Sequence, residues 1–446
     1  RMEDVIPPAA PPRGKGGVAI VRASGQGALA VAEKMFSPAG GVRVEAFEPY
    51  RMYPGRIDCG GFSDFGLCVY FRAPHSFTGE DVVEFHCHGG TEVARGVLRR
   101  ALACGARLAE AGEFTKRAFL NGKLSLSAAE GLADMINGES EAQVRAGSML
   151  YAERLGAAVR GAQARLTELL AEIDADIDFP EEDIERTDLA GAGERIRALA
   201  EELSALAGSY GTGRKIGGGV SVVLAGVPNT GKSSVLNALL GSDRAIVSAL
   251  AGTTRDAVEG AVEIGGVRFE LCDTAGLREG ADALEREGVA RAKRRIEGAD
   301  LVLFVLDASQ PLREEDREAY AALAGKKVLV VHNKTDLRAD LCELPADVRV
   351  SALTGENIPL LKKKMFDACM EGYNADALFV TQERHYAALS RAVALLREAE
   401  GLCAAEPPDL WGVPLREAWE ALGEITGETA NERIIDEIFS KFCVGK

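Results

Sequence analysis

Four short groups of residues in this chain carry side chains and glycines at spacings that chemistry can use: GVPNTGKS (Gly226–Ser233), GTTRD (Gly252–Asp256), DTAG (Asp273–Gly276) and NKTD (Asn333–Asp336). In the first, glycines let backbone N–H groups curl around phosphates. Lys232 can neutralise β/γ-phosphate charge and the Ser233 hydroxyl can ligate Mg²⁺, with Asn229, Thr230, Gly231 and Ser234 completing the loop. Thr254 can offer a second hydroxyl to the metal, and Asp273 can hold its water shell. Thr274 and Ala275 lead to Gly276, whose N–H can donate to the γ-phosphate. The Asp336 carboxylate, behind Asn333 and Lys334, can accept from both the ring N–H and the exocyclic amine of guanine. Adenine presents no such pair, so GTP is the expected substrate. Ser351, Ala352 and Leu353 suit a backbone contact to the guanine oxygen.

Residue 277 bears on mechanism. Ras-like switches place there a glutamine that orients the attacking water, whereas this chain has Leu277. A carboxylate or amide from elsewhere must do the orienting. Glu285, closing LREGADALE (Leu277–Glu285) at the start of the expected next helix, is the best local candidate, with a solvated helix glutamate as the plain alternative. Lys232, Thr254, Arg255, Asp256 and Glu285 form the expected catalytic set.

These groups need a scaffold. From 217 to about 372, apolar β-rich runs (VSVVLAG, VRFELCD, LVLFVLD, KVLVVHN, VRVSAL) alternate with helical segments such as SSVLNALLG and EREGVARAKRRIEG, the pattern of a parallel sheet wrapped by helices. Near-continuous apolar strands fit burial on both faces. Residues 124–210 and 381–442 read as long helices, so the expected plan is one helical domain interrupted by a nucleotide-binding insertion. GTGRKIGGG (Gly211–Gly219) reads as a flexible lead into it, and EGYNADALFVTQ as the return. Residues before about 118 carry β-like pieces around a short helical run, an α+β unit. The expected division is 1–118, 119–215, 216–374 and 375–446. The fold class is α/β multidomain: an α+β amino-terminal domain, a discontinuous helical bundle and an inserted Ras-like P-loop domain with a mostly parallel sheet.

At 446 residues with 47% hydrophobic and 27% charged residues, the chain reads as globular and large enough for about three domains. No segment approaches the roughly 20 apolar residues of a membrane span. The opening RMEDVIPPAAPPRGKGG lacks the apolar stretch of a secretory leader, so a cytoplasmic location and no membrane partner are expected. Nine scattered cysteines without a CxxC pair fit a reducing compartment. A net charge of −16 excludes wholesale coating of nucleic acid, so RNA contact would use local patches. The densest early one runs through Arg95, Arg99, Arg100, Arg107, Lys116, Arg117 and Lys123; a solvated helix face is the equal alternative. His86 and His88 share a strand face but lack a third ligand at useful spacing, which favours structural histidines over a metal site.

Three further stretches are more distinctive: SFTGEDVVEFHCHGG (Ser76–Gly90), AGEFTKRAFLNGKLSLSAAEGLADMI (Ala111–Ile136) and IFSKFCVGK (Ile438–Lys446). With the nucleotide motifs, they make the whole chain resemble the tRNA uridine-5-carboxymethylaminomethyl modification GTPases, the MnmE (TrmE) family. The resemblance implies an amino-terminal domain that binds tetrahydrofolate and dimerises, then a helical domain, an inserted GTPase domain and a helical return. It implies a homodimer whose G domains pair on activation. It further implies a flavin-containing MnmG (GidA) partner in a heterotetramer, and a folate one-carbon donor such as 5-formyltetrahydrofolate for modifying the wobble uridine of certain tRNAs.

Residue by residue, the same resemblance assigns folate contacts to Arg22, Glu84, Lys123 and Lys446. K⁺ ligands fall on Asn229, Ser248, Leu250 and Thr253, and Mg²⁺ ligands on Ser233, Thr254 and Asp273. Nucleotide contacts extend through Ala249, Ala251 and Gly252, and the resemblance favours Glu285 as the water-orienting group. Cys443 lies in the terminal FCVGK motif, where the family has isoleucine in place of Val444; it is either catalytic or a small buried residue. Pro7, Pro8, Pro11 and Pro12 crowd a stretch where the family usually begins with a strand, and proline cannot donate to a ladder. The competing readings are a ribosome-assembly GTPase switch, and a folate-dependent aminomethyltransferase with a regulatory G domain.

Overall fold

The structure is a computed structural model; it describes residues 16–178, 191–241, 260–273, 293–337, 340–403 and 405–442. Two compact units divide the chain: Arg1–Ala133, Met149–Ala200 and Arg391–Lys446 in one, Asp134–Ser148 and Glu201–Ser390 in the other.

The first unit holds β1 (Val18–Ser24), α1 (Ala28–Met35), β2 (Phe36–Pro38), β3 (Met52–Asp58), β4 (Ser63–Phe71), β5 (Val82–His88) and α2 (Thr91–Ala103). The strands form an antiparallel sheet in the order β1-β5-β4-β3-β2. Alternating burial along β3 is the period-2 signature of a sheet covered on one face. Ile57, Val83 and Phe85 share one core with Ala28 of α1 and Val97 of α2. The prolines at 7–12 lie outside the described residues, and β1 pairs along its full length with β5.

Helices follow: α3 (Glu113–Leu120), α4 (Leu126–Asn137), α5 (Glu141–Tyr151), α6 (Arg154–Asp178), α7 (Ala192–Gly208) and α8 (Tyr210–Gly218). The second unit's sheet comprises β6 (Val220–Ala225), β7 (Gly260–Ile264), β8 (Val267–Asp273), β9 (Leu301–Asp307), β10 (Val328–Asn333) and β11 (Val348–Arg349). Its order is β11-β10-β9-β6-β8-β7. Every pairing is parallel except the β7–β8 hairpin. The Gly265-Gly266 turn, with both φ positive, makes this hairpin and is itself a sequence signal for one. Helices α9 (Lys232–Leu240), α10 (Glu314–Ala321) and α11 (Ile358–Cys369) belong to this unit. The run VRVSAL is a strand only over Val348–Arg349, with Ser351 in an isolated bridge to Glu356.

The segment Gly211–Gly219, read as a flexible lead, is instead largely the helix α8. Packing overrides the weak helix propensity of its glycines. Ile216 is buried, Tyr210 stacks on Tyr386 at 4.6 Å, and Ser209 Oγ accepts from Val380 N at 3.0 Å. A Cβ on Gly213 would overlap the Val380 carbonyl, so glycine here permits close approach.

Helix α12 (Glu383–Cys403) is followed by α13 (Pro408–Thr426) and α14 (Glu432–Ser440). In the first unit α13 lies along α6: Gln163 donates to the Trp419 carbonyl at 3.3 Å and Trp419 Nε1 donates to Thr167 Oγ1 at 3.1 Å. Phe439 and Phe442 pack with Leu126 and Ala129 of α4, and Lys116 of α3 pairs with Asp436 at 2.6 Å.

Most of the early basic stretch is occupied internally. Arg95 pairs with Glu92, Arg100 with Asp58, Arg107 with Glu113, and Arg117 with Glu80 and Glu113. Together with the Lys116–Asp436 pair, this favours the helix-face reading over a phosphate-binding patch.

Candidate functional site

The core of the site is the junction of β6 and α9. Apolar β6, buried between β8 and β9, ends at Ala225, and the chain turns through Gly226–Gly231 before α9 begins at Lys232. Gly226, Asn229 and Gly231 have φ of 142°, 67° and 91°. Glycine meets that demand at two of these positions, and asparagine tolerates it better than most residues at the third. A Cβ on Gly231 would overlap Nδ2 of Asn333, so this glycine also admits the Asn333–Asp336 segment against the loop.

Lys232 is buried, and its ammonium donates to the Val227 carbonyl at 2.8 Å; Thr230 Oγ1 donates to the same oxygen at 3.2 Å. Ser233, one residue into the helix, donates to Asp273 Oδ2 at 2.7 Å. Asp273 ends β8 and is 1% exposed. The register of two parallel strands therefore sets a hydroxyl against a carboxylate at the mouth of the loop.

The residues expected to recognise the base lie at the ends of β10 and β11. Asn333 is buried; its Nδ2 donates to the Thr230 carbonyl at 3.1 Å and its Oδ1 accepts from Ala352 N at 3.0 Å. It ties the phosphate loop to the 351–353 segment. Lys334 donates to the Asn229 carbonyl at 2.8 Å and to Asp307 at 2.6 Å. Ser351 Oγ donates to Asp336 Oδ1 at 2.6 Å, which fixes the direction of this carboxylate. Leu353 is exposed.

Asp307, at the end of β9, is a site residue that sequence reasoning missed. Burial opposes its ionisation, but hydrogen bonds from Lys334 and Ser309 outweigh that and hold its carboxyl below the ordinary aspartate value. Its only sequence signal was the polar ending of the apolar run LVLFVLD.

Ser248, Ala249, Leu250, Ala251, Gly252, Thr253, Thr254, Arg255, Asp256, Thr274, Ala275, Gly276, Glu285, Cys443 and Lys446 lie outside the described residues.

In the first unit, strand register places Arg22 opposite Glu84, and the two pair at 3.2 Å. The other Glu84 oxygen lies 3.2 Å from His86 Nε2. Lys123 donates to the Pro74 carbonyl at 2.9 Å. His88 pairs with Asp64 at 2.6 Å, so both strand histidines have carboxylate partners.

A loop bracketed by left-handed backbone, a lysine and serine opening the next helix, a buried aspartate on the adjacent strand and a serine-braced aspartate beyond the fifth strand define a P-loop GTP-binding protein. Family models match along most of the chain: "GTP-binding protein TrmE N-terminus" over residues 5–123 and "MnmE helical domain" over residues 126–443. The tRNA modification GTPase MnmE of Desulforamulus reducens is 39% identical over 460 residues, covering 100% of both chains. That of Geobacter sulfurreducens is 41% identical over 457 residues, again covering 100% of both. A crystal structure of Aquifex aeolicus Era bound to GDP·AlF4⁻ matches 39% of this chain and 66% of that one, at 30% identity and a TM-score of 0.27. The chain belongs to the MnmE family of tRNA modification GTPases. Among the described residues no helix is long and apolar enough to cross a membrane.

Proposed function

We propose that this chain is a Mg²⁺-dependent, K⁺-stimulated GTPase that acts with a flavin-containing partner to place an aminomethyl or carboxymethylaminomethyl group on the wobble uridine of certain tRNAs. A tetrahydrofolate derivative supplies the carbon unit. The observation that carries the nucleotide part is the Ser233–Asp273 contact of 2.7 Å beside Lys232. Two oxygen donors at one point suit a hard cation that takes its remaining ligands from water and phosphate. Among the described residues no group of three His, Cys, Asp or Glu could hold a metal alone, which accords with a cation shared with the nucleotide. Mg²⁺ bound there neutralises charge on the β/γ-phosphates.

In this reading Lys232 binds the phosphates, and the Val227 carbonyl holds its ammonium over the loop until they arrive. Asp336, aimed by Ser351, accepts from guanine, while Asn333 and Lys334 keep the base site and phosphate loop in fixed relation. The exposed Asn229 side chain is the described part of a K⁺ site, completed by Ser248, Leu250 and Thr253. K⁺ there supplies positive charge where phosphoryl transfer develops negative charge. Thr254 completes the Mg²⁺ set, and Glu285, with Arg255 and Asp256 nearby in sequence, serves water activation. Arg22 and Glu84, paired across β1 and β5, with Lys123 and Lys446, form the folate site. Cys443 serves the tRNA chemistry. Division at 118, 215 and 374 gives the domain plan, and homodimerisation through the first domain brings two G domains within reach.

The deciding experiment measures GTP hydrolysis in KCl against NaCl at matched ionic strength, together with nucleoside analysis of tRNA from cells lacking the protein. Faster hydrolysis in K⁺ and loss of the modified wobble uridine are expected. Equal rates remove the K⁺ assignment, and normal wobble uridines remove the modification assignment.

A further inference from the structure

His332 stands on β10 immediately before Asn333 and takes no part in the nucleotide chemistry described above. It is 2% exposed, and neither ring nitrogen has a hydrogen-bond partner among the described residues. Burying a polar group without a partner is costly, and burying a charge without one is costlier still. Alternation along the strand sets the ring on the side of Val330, whose neighbours are Leu306 of β9, Leu323 and the partly buried Cys342 and Leu344.

Among the described residues, the charged groups on the surrounding elements are engaged with one another or with backbone. On β11, Arg349 stands opposite His332 and pairs with Asp340. Asp347 accepts from Val330 N, Glu343 pairs with Arg317, and Asp307 of β9 holds Lys334 and Ser309. Asp316 of α10 accepts from Arg313 N through one oxygen, and its other oxygen does not reach the ring. Burial pushes the Cys342 thiol up, so it stays neutral. A proton on the enclosed ring therefore meets no carboxylate within hydrogen-bonding distance. Burial first, and the Arg349 charge second, lower the ring from its ordinary value of 6.5. The Leu344 backbone, near the ring but outside hydrogen-bonding geometry, and Asp340 oppose them by less.

The strand carries the consequence to the base site. The His332 carbonyl accepts from Val350 N at 2.7 Å, with Asn333 next after the one and Ser351 next after the other. To hydrate a charged ring, segment 340–344 must lift from β10, which loosens that pairing and the Asn333 and Ser351 bonds beyond it. We propose that His332 is a proton-operated latch on the base site: the neutral ring lets segment 340–344 close over β10, and protonation opens that cover and weakens guanine-nucleotide binding. The sign follows from linkage. The closed form takes up the proton less readily than the open one, so affinity is complete above the ordinary imidazole value and is lost as pH falls below it. Reciprocally, nucleotide binding expels the proton. The proposal rests on the NKTD residues being the base site, a reading that GDP binding at about pH 7.5 tests by itself.

The experiment measures GDP Kd on the full chain at about pH 7.5 and about pH 5.5, at matched ionic strength, for wild type, His332→Gln and His332→Leu. Between the two conditions the wild-type Kd should rise at least about threefold more than that of either neutral variant, a comparison that cancels the titration of GDP itself. Calorimetry in two buffers of different ionisation enthalpy should show GDP binding at about pH 5.5 releasing more protons from wild type than from the variants. The chain has five histidines, so the His332 ring proton is identified by NMR from its loss in a variant. In the GDP complex it should keep its neutral shift down to about pH 6. Equal pH dependence in all three proteins, equal proton release, or a His332 ring that titrates at the ordinary value in the GDP complex overturns the proposal. So does a urea midpoint whose pH dependence sets wild type apart while GDP Kd does not, the result for a histidine that is merely buried.

Discussion

Replacing Asn333 by alanine tests whether the base motif and the phosphate loop work as one unit. The side chain is 2% exposed and makes two hydrogen bonds, to the Thr230 carbonyl at 3.1 Å and from Ala352 N at 3.0 Å. Truncation strands both backbone groups, at about 1–2 kcal/mol each, for a total of about 2–4 kcal/mol. If roughly half of this falls on the ordered, nucleotide-competent loop, GDP affinity drops about five- to thirtyfold at 1.4 kcal/mol per decade. The remainder appears as a lower denaturant midpoint.

Gly231→Ala supplies the cross-check. Its φ of 91° alone costs alanine about 1–2 kcal/mol, and the new Cβ also meets Asn333 Nδ2. In the Asn333→Ala background that second penalty disappears. A double-mutant cycle read by fluorescent-GDP titration and urea unfolding should therefore show a coupling of about 1 kcal/mol or more. Additivity within about 0.3 kcal/mol, or a less than threefold loss of affinity in Asn333→Ala, refutes the reasoning.

Other expectations follow from single contacts. Ser351→Ala frees the Asp336 carboxylate and leaves Thr354 N without its acceptor; it should weaken GDP binding by about 1 kcal/mol, roughly fivefold, and lower the unfolding midpoint by a similar amount in urea titrations. Gly213→Val should destabilise the second unit by about 1–3 kcal/mol in thermal melts, because its side chain meets the Val380 carbonyl; an unchanged melt would restore the flexible-lead reading. Burial works against ionisation of Glu113, but Arg107, the Glu110 amide and Arg117 win and lower its carboxyl from the ordinary 4.5 to about 2. Because the folded value is the lower, its contribution is complete above the unfolded value and fades as pH falls from about 4.5 to 2. Allowing for partial solvent exposure, it is worth about 2 kcal/mol. Urea midpoints of wild type and Glu113→Gln should differ at pH 7 and converge near the bottom of that window; a constant gap contradicts the assignment.

Much of the nucleotide site is legible in sequence because it is built from neighbours. Gly226, Asn229 and Gly231 declare a left-handed loop within six residues, and the apolar runs on either side declare buried strands and a helix. The hairpin edge at β7 and the helical state of Gly211–Gly219, which reads as a flexible lead, are less legible. The first depends on a glycine pair joining two modest strands. The second depends on Val380 and Tyr386, distant in sequence, which make a glycine-rich segment worth ordering.

By itself the sequence set out the expected chemistry, a lysine and serine for phosphate and metal and an aspartate for guanine, and it carried family signatures along the rest of the chain. Only the tertiary structure decided which groups meet. Asp307 reaches Lys334 because β9 and β10 run parallel in one register; Asn333 reaches Thr230 because strand order sets β10 near the phosphate loop. Arg22 faces Glu84 across an antiparallel ladder, and Glu113 gathers Arg107 and Arg117 at a helix start. Backbone conformation is a local property that residue type announces. Hydrogen bonds between strands depend on which strands lie side by side, and that is settled only when the whole sheet is packed.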